Sequence, residues 1–275
     1  MKTAAATEVH LKEPKSLSGR IQWLRDYYFR GTERPWNNEF TCWTTGTPWD
    51  VIYNELTFYI VPETYTLINT LGASYLQAAR PVALHPDFWT WTLVERRAWF
   101  VKETIVNYVP QEILPGDLLA GARFNIQTSM CFTKEESRAW QKLVKGKNGA
   151  RAKMKWFHDH GYGNAGATSG HLIPGHERLL KMGWKGIHAE LLSQYNAQGN
   201  GERAGSKGAQ LRAMMTASTM ARDLAAKYRA VCEDLAQREP DAGRAAELRT
   251  MAANLSRVPW EPPTNFWEAV QALWI

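Results

Sequence analysis

Apolar residues fall three and four apart along most of this chain, the spacing that lines one face of a helix. Ile21, Leu24 and Tyr28 make the first such stripe, on a helix capped by Ser16 or Ser18 and ending near Gly31. Thr47-Pro48-Trp49-Asp50 has the form of a helix start, a capping threonine followed by proline at the first helical position. Ile52, Leu56 and Tyr59 share the face behind it. A further piece runs from Glu63 to Ala79. The next opens at Asp87 or Thr90 and carries Val94, Ala98, Val101, Ile105 and Tyr108. Residues 134–156 read as helical with a turn at Gly146–Gly149. Pro174 fits the first turn of a helix bearing Leu180, Trp184, Ile187 and Leu191. The pattern then predicts one long helix over 208–238, with Leu211, Met215, Leu224, Tyr228 and Leu235 along its inner side. A shorter helix follows over 243–256, and a last one over 265–275 is capped by Thr264. Only Leu118–Gly121, after the turn Pro115-Gly116-Asp117, reads as extended. The fold class is therefore mostly α, behind a lead-in over residues 1–15.

One stretch breaks this regularity. Trp156–Ile187 holds four of the seven histidines (His158, His160, His171, His176) and seven glycines. Glycine weakens helices and lets the main chain approach a ligand closely, so a loop of this composition marks a candidate site. Gly161-Tyr-Gly163-Asn-Ala-Gly166 matches a dinucleotide-binding pattern in letters only. That pattern follows a buried apolar strand, and here Lys153–His160 precedes it. His158-Asp-His160 with His171 or His176 lacks any established metal spacing, and no metal is expected. No G-x-S-x-G motif is present, and Cys131 has no histidine near it in sequence.

Composition narrows the picture further. Thirteen Trp, ten Tyr and nine Phe in 275 residues need a large core or a large buried interface. The net charge of +6 is dispersed among acidic residues, and the densest basic run, Lys142–Lys155, has aromatics only at its ends. A nucleic-acid partner is not expected, since binding wants a clustered stripe. Cys42, Cys131 and Cys232 are too few and scattered for a disulfide framework, which fits a reducing, cytoplasmic setting. No secretory signal or membrane-length run is found. The last helix stops at Leu273-Trp274-Ile275 without a glycine, lysine or proline stop signal. The expectation is an N-terminal part of a longer protein.

Four segments, in order, resemble the glycyl radical enzymes related to pyruvate formate-lyase. They are Ser18–Arg25 (SGRIQWLR), Ile113–Gly121 (ILPGDLLAG), Gly170–Leu180 (GHLIPGHERLL) with Gly183 and Gly186, and Phe266–Trp274 (FWEAVQALW). The resemblance implies that residues 16–275 are the N-terminal helical part of a ten-stranded α/β barrel. It implies a glycine radical elsewhere in the full chain, installed by a radical-SAM activase, and a thiyl-forming cysteine. None of Cys42, Cys131 or Cys232 sits in the setting of that cysteine, so no catalytic residue and no cofactor of its own is assigned to this chain. The resemblance also implies a small-molecule substrate and a homodimer of the full-length subunit, and it admits small accessory subunits. Within the family, Trp156–His171 looks most like benzylsuccinate and alkylsuccinate synthases, which add a hydrocarbon radical to fumarate. Arylacetate decarboxylation or diol dehydration is the alternative. By the same resemblance His171 would touch a substrate hydroxyl and Tyr162 would help wall the pocket. A non-catalytic helical binding module is the rival of another class.

Overall fold

The computed structural model describes residues 18–29, 82–109, 111–121, 131–162 and 174–275. Among them all regular structure is helical, and no strand of the expected barrel occurs. The helices expected at 47–61 and 63–79 lie outside the described residues. By its contacts the chain divides into two units, Met1–Leu56 with Leu114–Gly116, and Thr57–Ile113 with Asp117–Ile275.

In the first unit α1 (Gly19–Phe29) starts on Ser18, whose Oγ accepts the Ile21 N–H at 3.4 Å. Gly116 lies against this helix, and a Cβ there would sit 3.0 Å from Leu24 Cγ.

The second unit begins with a 3₁₀ turn, Phe88–Thr90, and α2 (Leu93–Asn107). The start of α2 is Thr92 rather than Asp87 or Thr90, because Glu95 reaches back to the Thr92 N–H at 3.2 Å and its hydroxyl at 2.6 Å. Phe88 and Phe100 are fully buried together with Val82 and Cys131, and Trp91, Trp99 and Tyr108 pack around them. Arg96, 2% exposed, donates to the carbonyls of Cys131 at 3.1 Å and Trp91 at 3.0 Å and pairs with Glu136. That ties α3 (Lys134–Lys145) to α2. The helix α4 (Ala150–Asp159) follows the expected glycine turn and packs against α3.

Two expected helices are interrupted. The helix α5 (His176–Asn196) contains Gly183 at φ 63° and ψ 174°, which breaks it into two segments. It starts two residues after Pro174, with Gly175 at the cap position. A short α6 (Asn200–Ala204) leads to α7 (Ser206–Ser218) and α8 (Met220–Arg238), so the predicted single helix over 208–238 is two. The reason is local. The hydroxyls of Ser218 and Thr219 bond back to the carbonyls of Met215 and Thr216, both at 2.8 Å, competing with the ladder. Lys102 then donates to Thr219 Oγ1 at 2.7 Å and holds the break against α2.

The helix α9 (Ala242–Arg257) lies antiparallel on α8. Between them sit Leu224, Tyr228, Cys232, Leu248, Met251 and Leu255, with Val106 and Ala120 closing the same cluster. The last helix, α10 (Phe266–Trp274), is capped by Asn265, not Thr264. Asn265 Oδ1 accepts the Glu268 N–H at 2.9 Å, while Thr264 gives its N–H and hydroxyl to Glu268 at 2.7 and 3.0 Å.

Candidate functional site

The candidate loop begins where α4 ends. Gly161, at φ 71°, turns the chain so that the Tyr162 N–H donates to the Phe157 carbonyl at 3.2 Å. This folds the Tyr162 ring onto its own helix. It stacks on Trp156 with centroids 5.7 Å apart, lies parallel to His160 within 2°, and touches Phe157 at 5.6 Å. His160 is fixed in turn by Nδ1 against the Trp156 carbonyl at 2.7 Å, and its ring stacks on Trp156 at 4.3 Å.

The result is an aromatic shelf with one phenol and one imidazole edge, and the tyrosine is 63% exposed. Beside it, the Lys155 ammonium, 2.6 Å from Asp159, holds that carboxyl below its ordinary value. Such a surface can stack on a small molecule and offer it a hydrogen bond. It brings no acid–base pair to bear. His171, the other expected substrate contact, lies outside the described residues, so its relation to Tyr162 is not part of the geometry. His158 and His176 are exposed, and among the described residues no three His, Cys, Asp or Glu side chains converge as metal ligands.

Beyond the loop, the chain is anchored at Gly183. A Cβ there would run into the Trp260 carbonyl oxygen and sit 2.8 Å from the Glu261 carbonyl carbon, so the helix and the loop 258–262 meet backbone to backbone. The N–H groups of Trp184 and Lys185 donate to the carbonyls of Pro259 and Trp260 at 3.0 and 2.9 Å. Lys185 Nζ also reaches Glu261 at 2.7 Å. The Trp260 ring lies between Arg222, 4.9 Å from its centroid, and His188, at 5.8 Å. The imidazole Nδ1 of His188 is 2.8 Å from Ser218 Oγ, which links the loop to the end of α7.

A third contact joins two more of the segments singled out in the sequence. Gln271, fully buried on α10, accepts the Ala120 N–H at 2.9 Å and donates to the Ala120 carbonyl at 2.8 Å. Its amide thus mimics the edge of a strand. Trp267 donates to the Leu118 carbonyl at 2.8 Å, and Gly121, at φ 105°, lies under Ile275. On the outer side Leu118, Leu119, Phe266, Trp267 and Val270 line an open apolar groove of about 350 Å³.

Two of the three cysteines fall among the described residues. Cys131 is buried against Phe88 and Phe100, while Cys232 is fully buried and its thiol is pushed up by that burial to about 11. Neither is placed as a reactive sulfur. Sequence reasoning missed Trp260 and Gln271 as organisers. The proline-rich run Val258–Pro263 was a signal for the first, since such a run cannot continue a helix and must pack as loop. For the second a buried polar position inside an apolar helix face was the only clue.

Residues 149–275, which hold the aromatic shelf, the Gly183 break and α10, match the family described as pyruvate formate lyase-like. Over these residues the chain is similar to that family. The family resemblance read from the sequence therefore holds.

The chain is 28% identical over 138 residues to the isethionate sulfite-lyase of Desulfovibrio desulfuricans, covering 48% of this chain and 14% of that protein. It is 30% identical over 130 residues to the (2S)-3-sulfopropanediol dehydratase of Klebsiella oxytoca, covering 45% and 15%. A solved structure describing 1,2-propanediol dehydration in Roseburia inulinivorans superposes with a TM-score of 0.53 at 19% identity, over 68% of this chain and 29% of that one. The last likeness concerns fold alone. The chain spans about one seventh of the length of these two curated relatives. They are a sulfite-lyase and a dehydratase, so the leaning toward fumarate-adding synthases is not supported and the dehydratase alternative fits better.

Proposed function

We propose that this chain is the N-terminal, helical part of a glycyl radical lyase that eliminates a leaving group, water or sulfite, from a short hydroxylated substrate. The observation that carries this reading is the match of residues 149–275 to the pyruvate formate lyase-like family, beside the likeness of just under half of the chain to a sulfite-lyase and to a sulfopropanediol dehydratase. Isethionate, sulfopropanediol and 1,2-propanediol have in common a two- or three-carbon skeleton with a hydroxyl. That skeleton, sulfonated or not, is the substrate class.

In this reading the chain supplies shape rather than reacting atoms. The glycine radical, generated by a radical-SAM activase, supplies hydrogen abstraction through a cysteine thiyl in such enzymes. No thiyl role is assigned to the buried Cys131 and Cys232, and Cys42 lies outside the described residues. Tyr162 would wall the substrate with its stacked ring and His171 would bond a substrate hydroxyl. Residues 16–275 would form one continuous portion of the radical domain.

The test uses the full-length gene product, activated anaerobically by its radical-SAM partner. Electron paramagnetic resonance should show a glycyl radical, and isethionate, sulfopropanediol or 1,2-propanediol should be consumed with release of sulfite or an aldehyde. A protein that forms no radical, or that turns over only a hydrocarbon with fumarate, overturns the proposal.

A further inference from the structure

We infer that Gly183 and the backbone carbonyls of Pro259 and Trp260 form a positioning device, which sets the direction in which Pro174–Met182 leaves the body of the protein. This rests on the proposed function, in which the substrate contact His171 stands just ahead of Pro174 in the sequence.

Three independent features carry it. First, φ 63° with ψ 174° is a backbone region open in practice only to glycine, and the Trp260 carbonyl occupies the space a Cβ would need. The break is fixed by sterics on both counts. Second, the loop 258–262 takes up the N–H groups of Trp184 and Lys185, and Lys185 closes the outside of the joint on Glu261. The joint is a set of bonds, not a slack hinge. Third, no residue from His176 to Met182 is fully buried and only Leu179, Leu180 and Met182 are half-buried, whereas Gly183 and Leu191 are buried. Packing therefore holds this segment by one edge alone. Its direction is set by the break itself, together with the ion pair of Arg178 with Glu190, which ties the two segments of α5 across it.

The segment thus behaves as a lever on a rigid pivot. A change of a few degrees at Gly183 would swing Pro174–Met182, while the core of α8 and α9 would stay as it is. Gly183, Pro259 and Trp260 are positioning residues in this sense, acting through the chain they aim and not on the substrate.

The test uses the full-length, activated protein with Gly183→Ala and, as a variant free of steric strain, Glu190→Gln. Hydrogen exchange of 176–182 should rise about tenfold in Gly183→Ala and less in Glu190→Gln, with the amides of α8 and α9 unchanged. At equal glycyl radical content kcat/KM should fall about tenfold in Gly183→Ala, with KM moving more than kcat. Wild-type exchange and wild-type KM in both variants overturn the inference, as does activity that falls only in proportion to lost radical. Should Gly183→Ala not fold, Glu190→Gln decides by the same two readouts. Should the wild-type protein turn over none of the candidate substrates, the functional reading fails, and hydrogen exchange alone still decides whether the pivot exists.

Discussion

Gln271 and Ala120 hold each other by two hydrogen bonds across 151 residues of sequence, the side-chain amide of one closing on the backbone N–H and carbonyl of the other. Both groups are buried, so neither bond can be replaced by water. Leaving a buried donor or acceptor without a partner costs about 1–3 kcal/mol. Gln271→Leu, similar in volume, should therefore lower the unfolding free energy by roughly 2–4 kcal/mol. Urea denaturation followed by tryptophan fluorescence measures it, and a loss below about 0.5 kcal/mol would show the pairing to be dispensable.

Glu268 predicts a dependence on pH. Burial pulls its carboxyl upward, but the bonds from the Thr264 N–H and hydroxyl and the charge of Arg257 together outweigh that and hold it below the ordinary 4.5. A carboxyl depressed in the folded state stabilises the fold fully above its unfolded value and loses that contribution as pH falls through the folded one. The melting temperature should therefore drop as pH is taken below 4.5, and Glu268→Gln should flatten part of that slope while lowering stability at neutral pH. Thermal melts of both proteins across that range give the answer. Parallel curves would mean that Glu268 does not contribute.

Burial of Cys232 predicts chemical silence. With its thiol raised to about 11, the thiolate is present at pH 8 in about one part in a thousand, and the sulfur has no solvent exposure. Iodoacetamide should leave Cys232 unmodified in the folded protein and label it after denaturation. Peptide mass spectrometry reads this directly, and labelling of the native protein within minutes would contradict the packing of α8 on α9.

Tyr162 predicts a kinetic signature. Its ring is held by stacking on Trp156 and His160, and under the proposed function it would act as a wall, with its hydroxyl secondary. In the activated full-length enzyme Tyr162→Phe should stay within about twofold of wild type, while Tyr162→Ala should raise KM about tenfold with a smaller change in kcat. Equal KM values for all three proteins would remove Tyr162 from the pocket.

Much of the helical layout was legible because helix periodicity is a local signal. The turn between α3 and α4, the stripe from Leu211 to Leu235 and the last helix were all visible in the spacing of apolar residues. The misses have physical causes. Apolar period does not register an interruption that keeps phase, so the break at Thr219, made by two hydroxyls bonding backward, left the stripe intact. Leu180, Trp184 and Ile187 likewise keep helical spacing across Gly183, although the glycine itself marked the place. Caps slipped by one or two residues because Thr264 and Asn265 both carry capping side chains, and only the fold assigns which one faces the Glu268 N–H. At the candidate site, the resemblance pointed to Tyr162 as an expectation, whereas its parallel stacking with His160 depends on the turn at Gly161 and was not legible. The clasp of Gln271 on Ala120 is beyond any local reading.

That clasp also orders events during synthesis. Ala120 leaves the ribosome long before Gln271 does, and at about 5–20 residues per second the wait lasts about 8–30 seconds. Throughout it the backbone of 118–121 has no partner on α10, and once α8 and α9 have emerged the cluster between them still lacks Trp267 and Ile275. Completion of this core is thus post-dated to the arrival of α10.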